Sequence, residues 1–248
     1  MINKKQITYN GIRVDVVEAR TDATHDVQIA VLGEPAFTRK PFKDYRDPEL
    51  ESQGWKKLAL VNGSLFFNQG TQTFANGIEK SMGVVNENDD PTWDNNLGFY
   101  HENGLPYIYT QKYIKSIINQ PNVRGAITGA FGLINNGRQD ISGARRYYDE
   151  GQKKWINEPG RGVYLTKSGR TIIGKKADNT IVFAVFDGTT GVSGLTGYQT
   201  YLLAKQLGLR NAICGDGGGS TILEYLGKIY NNTLREGPNA VAIYYRLK

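Results

Sequence analysis

The chain has 248 residues, enough for one substantial hydrophobic core or at most two small domains. Its 39% hydrophobic and 22% charged content are ordinary for a globular protein. The net charge of +6 is modest, and no apolar run approaches the roughly 18 residues that a membrane-spanning helix needs.

Thirty glycines and fifteen tyrosines, with few long apolar helical stretches, indicate a strand-and-turn-rich chain. The expected fold class is α+β, with mixed, strand-rich sheets, a few packed helices and a single domain over residues 1–248. The opening MINKKQITYNGIRVDV has lysines but no apolar stretch after them, so it does not read as a secretory signal. The expectation is a cytoplasmic protein without membrane insertion, with the host cell of a phage as the alternative setting. Cys214 is the sole cysteine, which excludes an internal disulfide. Basic residues gather at Arg39-Lys40-Lys43, Arg145-Arg146 and Lys153-Lys154. They read as solvated surface or as attraction for a phosphate-bearing substrate. No recognised nucleic-acid-binding motif accompanies them.

In chain order, Ile12, Val14 and Val16 alternate with Arg13, Asp15 and Val17, and Val27–Val31 and Leu58–Val61 follow as further strands. Residues 33–54 are polar and read as a long surface excursion. Gln111–Ile118 is a candidate short helix, and the glycine-punctuated Ala126–Ile134 a buried strand or turn. The polar stretch 136–160, with interleaved aromatics, reads as a surface loop or a flap over a site. Gly162–Thr166 and Arg170–Ile173 are expected to form a hairpin about Lys167-Ser168-Gly169. Thr180–Phe186 follows as an apolar strand after a turn at Asp178-Asn179. A helix is expected from Thr196, whose pairing with Gln199 matches a capping box. Its apolar face is read as Leu195, Tyr198, Leu202 and Leu203, and its stop as Gly208. Leu209–Cys214 is a strand that ends in Gly215-Asp216-Gly217-Gly218-Gly219-Ser220. Ile222–Leu226 and Lys228–Tyr230 then turn at Gly227, and Ala240–Tyr245 closes the chain.

Three consecutive glycines after an aspartate, at the end of a buried strand, cost backbone entropy. A chain tolerates that where side chains would obstruct a ligand or where φ must be positive. The functional reading is a nest of N–H groups at Gly217, Gly218 and Gly219 aimed at an anion, with Ser220 and Thr221 adding hydroxyl donors and Asp216 a carboxylate. The alternative is a tight turn with no chemistry. No Gly-Lys-Ser/Thr follows and no helix follows, so neither a P-loop nor a dinucleotide fingerprint is present.

The wider order of motifs resembles the phosphodiester glycosidase family, whose members include an enzyme that removes a phosphate-linked N-acetylglucosamine. The residues that carry the resemblance are Asp187-Gly188, Gly194-Leu195-Thr196, Leu207-Gly208, Asp216–Thr221, Asn231-Asn232, Arg235 and Asn239-Ala240-Val241. A weaker upstream match is Val61-Asn62-Gly63-Ser64-Leu65-Phe66-Phe67, similar to the family's Asn-Gly-Gly-x-Phe segment. The motif-bearing core is thus 160–248 plus 58–85. Two departures stand out: Ser64 replaces the second glycine, and Arg161-Gly162 stands where the family carries an Arg-Thr pair.

The resemblance implies a hydrolase that cleaves a glycosyl phosphodiester to sugar and phosphate monoester. The alternative is a binding protein that holds a phosphate-bearing glycan or nucleotide-sugar-like molecule without turnover. His25 and His101 lie in no metal-like spacing and read as surface or loop residues, so no metal site, cofactor or histidine triad is expected. Nothing cationic beside Cys214 in sequence would activate it, so it reads as buried and inert. Carboxylates remain as the acid–base candidates. Asp216 is the first, and Glu79 is the choice for the second, with Asp187 as another candidate. Arg161 and Arg235 are the expected phosphate clamp, and Asn62 is expected to hold a sugar hydroxyl or to cap a turn.

Overall fold

A computed structural model describes residues 1–33, 39–69, 72–87, 91–231 and 236–248. Strands dominate it, and three larger antiparallel sheets enclose one shared core. The first sheet orders its strands Ile2–Tyr9, Ile12–Ala19, Ile181–Phe186, Arg170–Lys175, Asn211–Gly217, Phe131–Asn135 and Arg138–Gln139. The second runs Leu105–Thr110, Leu97–Glu102, Val123–Thr128, Ile78–Ser81 and Val84–Glu87. The third runs Lys228–Asn231, Leu223–Tyr225, Lys56–Asn62, Asn239–Leu247 and His25–Gly33.

Inner faces of all three sheets meet in one apolar cluster that includes Val17, Phe183 and Ile213 of the first, Phe99 and Ile127 of the second, and Ile29, Val61 and Val241 of the third. Each outer face is then covered separately. Helix α4 (Gly197–Gln206) lays Leu203 and Ala204 on the first sheet, beside Ile172, Ala184 and Cys214. Helix α2 (Gln111–Ile117) places Ile114 on the second, against Ile78 and Tyr100. Phe42, Tyr45 and Leu50 cover the third. Strands covered on both faces read as continuous apolar runs rather than alternating ones, as Ile181–Phe186 does.

Several expectations hold and several need correcting. Thr196 caps α4 in a reciprocal capping box with Gln199, and Gly208 ends it at φ +76°. Its buried face is Thr200, Leu203 and Ala204, however, and Tyr198 is exposed. Gly162–Thr166 is not a hairpin strand, because Arg161–Leu165 forms the short helix α3. The hairpin lies one element later, where Arg170–Lys175 pairs with Ile181–Phe186 across a turn carrying Asn179 at φ +63°. The stretch after Gly33 is not merely a surface excursion, since α1 (Pro48–Ser52) and the turn before it supply three buried side chains. Ala126–Ile134 spans parts of two strands in different sheets. Within 136–160, Arg146–Asp149 and Lys154–Asn157 form an exposed two-stranded ribbon.

His101 is a correction with consequences. It sits within a strand, is 5% exposed, and stacks on Phe99. Burial, with smaller contributions from Arg124 and Lys80, pushes its imidazole down to about 3. The unfolded chain therefore binds this proton more readily than the folded one. The corresponding stability is complete above the unfolded value near 6.5 and is lost as pH falls towards the folded value. Each pH unit in that window costs about 1.4 kcal/mol, so about 2 kcal/mol is expected to be missing at pH ~5. Urea unfolding at neutral and mildly acidic pH checks this, and His101→Leu should flatten the difference.

Candidate active site

The strand Asn211–Gly217 belongs to the first sheet, and Leu223–Tyr225 belongs to the third. The glycine run is therefore the crossover between two sheets, and a single turn of 3-10 helix at Gly218–Ser220 makes it. Pairing is irregular just before the crossover: Ile172 faces Cys214, whereas Arg170 faces Gly217. A bulge of this kind re-aims side chains, and it falls at Asp216.

Asn62 ties the crossover together. It is fully buried at the end of a third-sheet strand, and its Nδ2 donates to the Asp216 carbonyl at 2.9 Å. Its Oδ1 accepts from Thr171 Oγ1 at 2.6 Å and from the Ile222 amide at 3.2 Å. Asn62 thus acts as a stitch between sheets. One residue on, the Gly63 carbonyl accepts the Asp216 amide at 2.8 Å. Ser64 is held by Asn239, whose Nδ2 also donates to Glu79 Oε2 at 2.7 Å. Glu79 is only 2% exposed, so its carboxylate lies behind the crossover, supporting Asn239.

Two adjacent cavities open onto the glycine run. The larger, about 650 Å³, is lined by Asp187, Gly188, Thr189, Thr190, Ser193 and the pair Gly218-Gly219. The smaller, about 260 Å³, has Asp216, Gly217, Ser168 and Arg170 in its wall together with the α3 residues Gly162 and Val163. Thr190 lines both and lies 3.1 Å from Ser168 through its hydroxyl. Glu79 and Arg161 line neither.

The amides of Gly217 and Gly218 are spent within the fold rather than left open for an anion. Gly217 N–H donates to its neighbour's Asp216 Oδ1 at 2.8 Å, Gly218 N–H to the Gly169 carbonyl at 3.0 Å, and Thr221 N–H to the Gly218 carbonyl at 3.2 Å. Close packing accounts for Gly217, where a Cβ would sit 2.5 Å from the Gly169 carbonyl. Gly218 adopts φ +59°, where a side chain is strained and would also press on Thr190. Ser220 and Thr221 turn inward. The Ser220 hydroxyl is buried without a hydrogen-bond partner among the described residues, and Thr221 Oγ1 donates to the Gly218 carbonyl. What the run presents to the cavities is the bare surface of Gly217, Gly218 and Gly219 beside one carboxylate.

The cation in the wall is Arg170. It is 1% exposed and lies 5.5 Å over the Phe131 ring. Its Nη2 donates to the Thr166 carbonyl at 2.6 Å and to the Val163 carbonyl, holding the end of α3. Its Nε is buried with no partner among the described residues. Burial pulls the guanidinium below its usual value, and nearby Cys214 and Asp216 oppose that shift. Arg161, by contrast, is half-buried at the start of α3 and donates to the Ala144 carbonyl at 3.3 Å. Arg235, with Asn232, lies outside the described residues. Sequence reasoning missed Arg170 because it reads as the first residue of a strand. The signal was present, since Arg170-Thr171 is itself an Arg-Thr pair nine residues beyond Arg161. Cys214 is fully buried, and burial pushes its thiol up to about 12, in keeping with an inert cysteine.

Known structures share this architecture. The catalytic domain of zebrafish N-acetylglucosamine-1-phosphodiester alpha-N-acetylglucosaminidase, auto-inhibited by its pro-peptide, aligns at a TM-score of 0.65 and 19% identity. That alignment covers 100% of this chain and 82% of the zebrafish chain. A hypothetical protein from Synechocystis aligns at a TM-score of 0.58 and 13% identity, covering 99% of this chain and 62% of the other. No curated protein sequence matches. The family of phosphodiester glycosidases matches residues 56–244, a span that contains both cavities and every candidate residue. The chain therefore belongs to the phosphodiester glycosidase family.

Proposed function

We propose that this protein hydrolyses a glycosyl phosphodiester, releasing a free sugar and a phosphate monoester. The observation that carries the reading is that Asp216 and the buried Arg170 together line one small cavity. A sugar–phosphate ester presents two demands: an anion to be held and an anomeric carbon that becomes electron-poor as its bond to phosphate oxygen breaks. A guanidinium suits the first, through charge-assisted hydrogen bonds to phosphate oxygens. A fixed carboxylate suits the second, by stabilising positive charge where it develops.

In this reading, the bond between the anomeric carbon and the phosphate oxygen breaks, and the electron pair leaves with the phosphate. Water supplies the oxygen that ends on the sugar, and its proton passes to a carboxylate. Asp216 faces the anomeric centre and Arg170 holds the leaving phosphate. Asp187, on the wall of the larger cavity, is better placed than Glu79 for the second carboxylate, because it is exposed to that cavity. Gly217–Gly219 admit the substrate close to the backbone, while Asn62 and Glu79 hold the crossover from behind.

The kinship with an N-acetylglucosamine-1-phosphodiester enzyme makes N-acetylglucosamine the first sugar to try. Incubation of the protein with methyl (N-acetylglucosaminyl) phosphate should release N-acetylglucosamine and methyl phosphate, both visible by NMR. Tight binding of this diester, or of UDP-N-acetylglucosamine, with quantitative recovery of uncleaved ligand would replace the enzyme reading with that of a binding protein.

A further inference from the structure

Among the described residues, the ribbon Arg146–Asp149/Lys154–Asn157 pairs with no further strand. Isolated two-stranded ribbons are marginal in water, so this one depends on its base. There Arg145 N–H donates to Glu158 Oε2 at 2.9 Å, and the Glu158 amide donates to the Arg145 carbonyl at 2.9 Å. Gly160 then packs so closely beneath the Ala130 and Gly143 carbonyls that no Cβ would fit. Directly after Gly160 comes α3, whose Gly162 and Val163 wall the Asp216 cavity. The ribbon is an arm rooted beside the candidate active site.

Its pairing sorts the side chains. Tyr148 faces Trp155 and Arg146 faces Asn157, so these four share one face. On that face Trp155 is 58% exposed, its ring 5.5 Å from Tyr148 with the Arg146 guanidinium 4.8 Å over it. An indole left that open covers no core. Arg146, Lys153 and Lys154 form no ion pair among the described residues, unlike Arg145, which pairs with Glu158.

We infer that the ribbon is a secondary binding surface for a linear polymer of sugars joined through phosphodiesters. Such a polymer is chemically complementary to this face: aromatic rings stack on the C–H-rich faces of pyranose rings, and the Arg146 guanidinium, which has no carboxylate partner among the described residues, can pair with a phosphodiester oxygen, with Lys153 close by in the turn. Arg146, Tyr148 and Trp155 stand together on one face, with Lys153 in the turn beyond them and Lys154 on the opposite face, so one sugar ring and the phosphate next to it would be held there. The inference rests on the glycosyl-phosphate reading above and adds to it that chains longer than the cleavage site are held outside the cavity.

The test compares two probes, linear poly(N-acetylglucosamine 1-phosphate) and methyl (N-acetylglucosaminyl) phosphate. Trp155→Ala should raise KM for the polymer about tenfold, a change of 1.4 kcal/mol, while kcat/KM for the methyl diester stays unchanged. Trp155→Phe, which keeps a ring, should restore most of the polymer affinity. Calorimetry of polymer binding to the unsubstituted protein and to Trp155→Ala gives the same comparison without needing turnover. Failure to cleave either probe defeats the glycosidase reading, yet a Trp155-dependent polymer affinity would still uphold the ribbon surface. Equal polymer binding by both proteins overturns the ribbon proposal even if cleavage stands. So does Trp155-dependent dimerisation by sedimentation with no polymer binding, which would make the face an interface between copies.

Discussion

Asp216→Asn is expected to lower kcat on methyl (N-acetylglucosaminyl) phosphate by about 10³-fold, the scale on which a group that stabilises transition-state charge contributes. The substitution is conservative in the fold. Asp216 Oδ1 accepts from the Gly217 amide, and an asparagine Oδ1 can accept the same bond. The backbone carbonyl that receives Asn62 Nδ2 and the amide that donates to Gly63 do not change. Thermal unfolding should therefore move little. Removing a negative charge beside Arg170 leaves that cation freer to hold phosphate, so KM should stay constant or fall. A loss of kcat without a rise in KM is the signature of an interaction made in the transition state. Sugar release by NMR, with a thermal melt of the same sample, reads both quantities. Retention of wild-type turnover by this variant would remove Asp216 from the chemistry and with it the reason for placing the reaction in the smaller cavity.

Much of this site was legible in the sequence because its signals are local. A strand, an aspartate and three glycines in succession mark a crossover where side chains are unwelcome, and Thr196 with Gln199 marks a helix start over only four residues. What escaped was non-local. The amides of Gly217 and Gly218 read as open donors, but their acceptors are the preceding side chain and the Gly169 carbonyl, just before the neighbouring strand. The period of Gly162–Thr166 fits a strand or a helical turn equally over five residues. Its helical form is supported by Tyr164 packing edge-on to Phe131 and by Arg170 taking the carbonyls of Val163 and Thr166. Polar composition likewise hid Phe42, Tyr45 and Leu50, three side chains that cover a whole sheet face. Arg161 and Arg170 are equivalent by composition, and only burial tells them apart.

Arg170→Met tests the cation in the wall of the smaller cavity. Methionine roughly keeps the length and the apolar stem over Phe131 while removing the charge and every donor. Two costs follow. The Val163 and Thr166 carbonyls lose their charged partner, which should destabilise the fold by about 2–3 kcal/mol and loosen α3. The cavity also loses its anion-holding group, so the inhibition constant of methyl phosphate, a product of the proposed reaction, should rise by about 10–100-fold. Arg170→Lys should recover only part of either, because an ammonium cannot donate to both carbonyls and to phosphate in the fixed geometry of a guanidinium. Chemical denaturation measures the first effect and competition by methyl phosphate the second. The two substitutions are expected to separate: Asp216→Asn impairs turnover and spares phosphate affinity, whereas Arg170→Met weakens phosphate affinity at constant ionic strength. A reversed pattern, with phosphate affinity lost at Asp216→Asn and kept at Arg170→Met, would mean that the anion binds elsewhere, with the glycines and hydroxyls of the larger cavity as the next place to look.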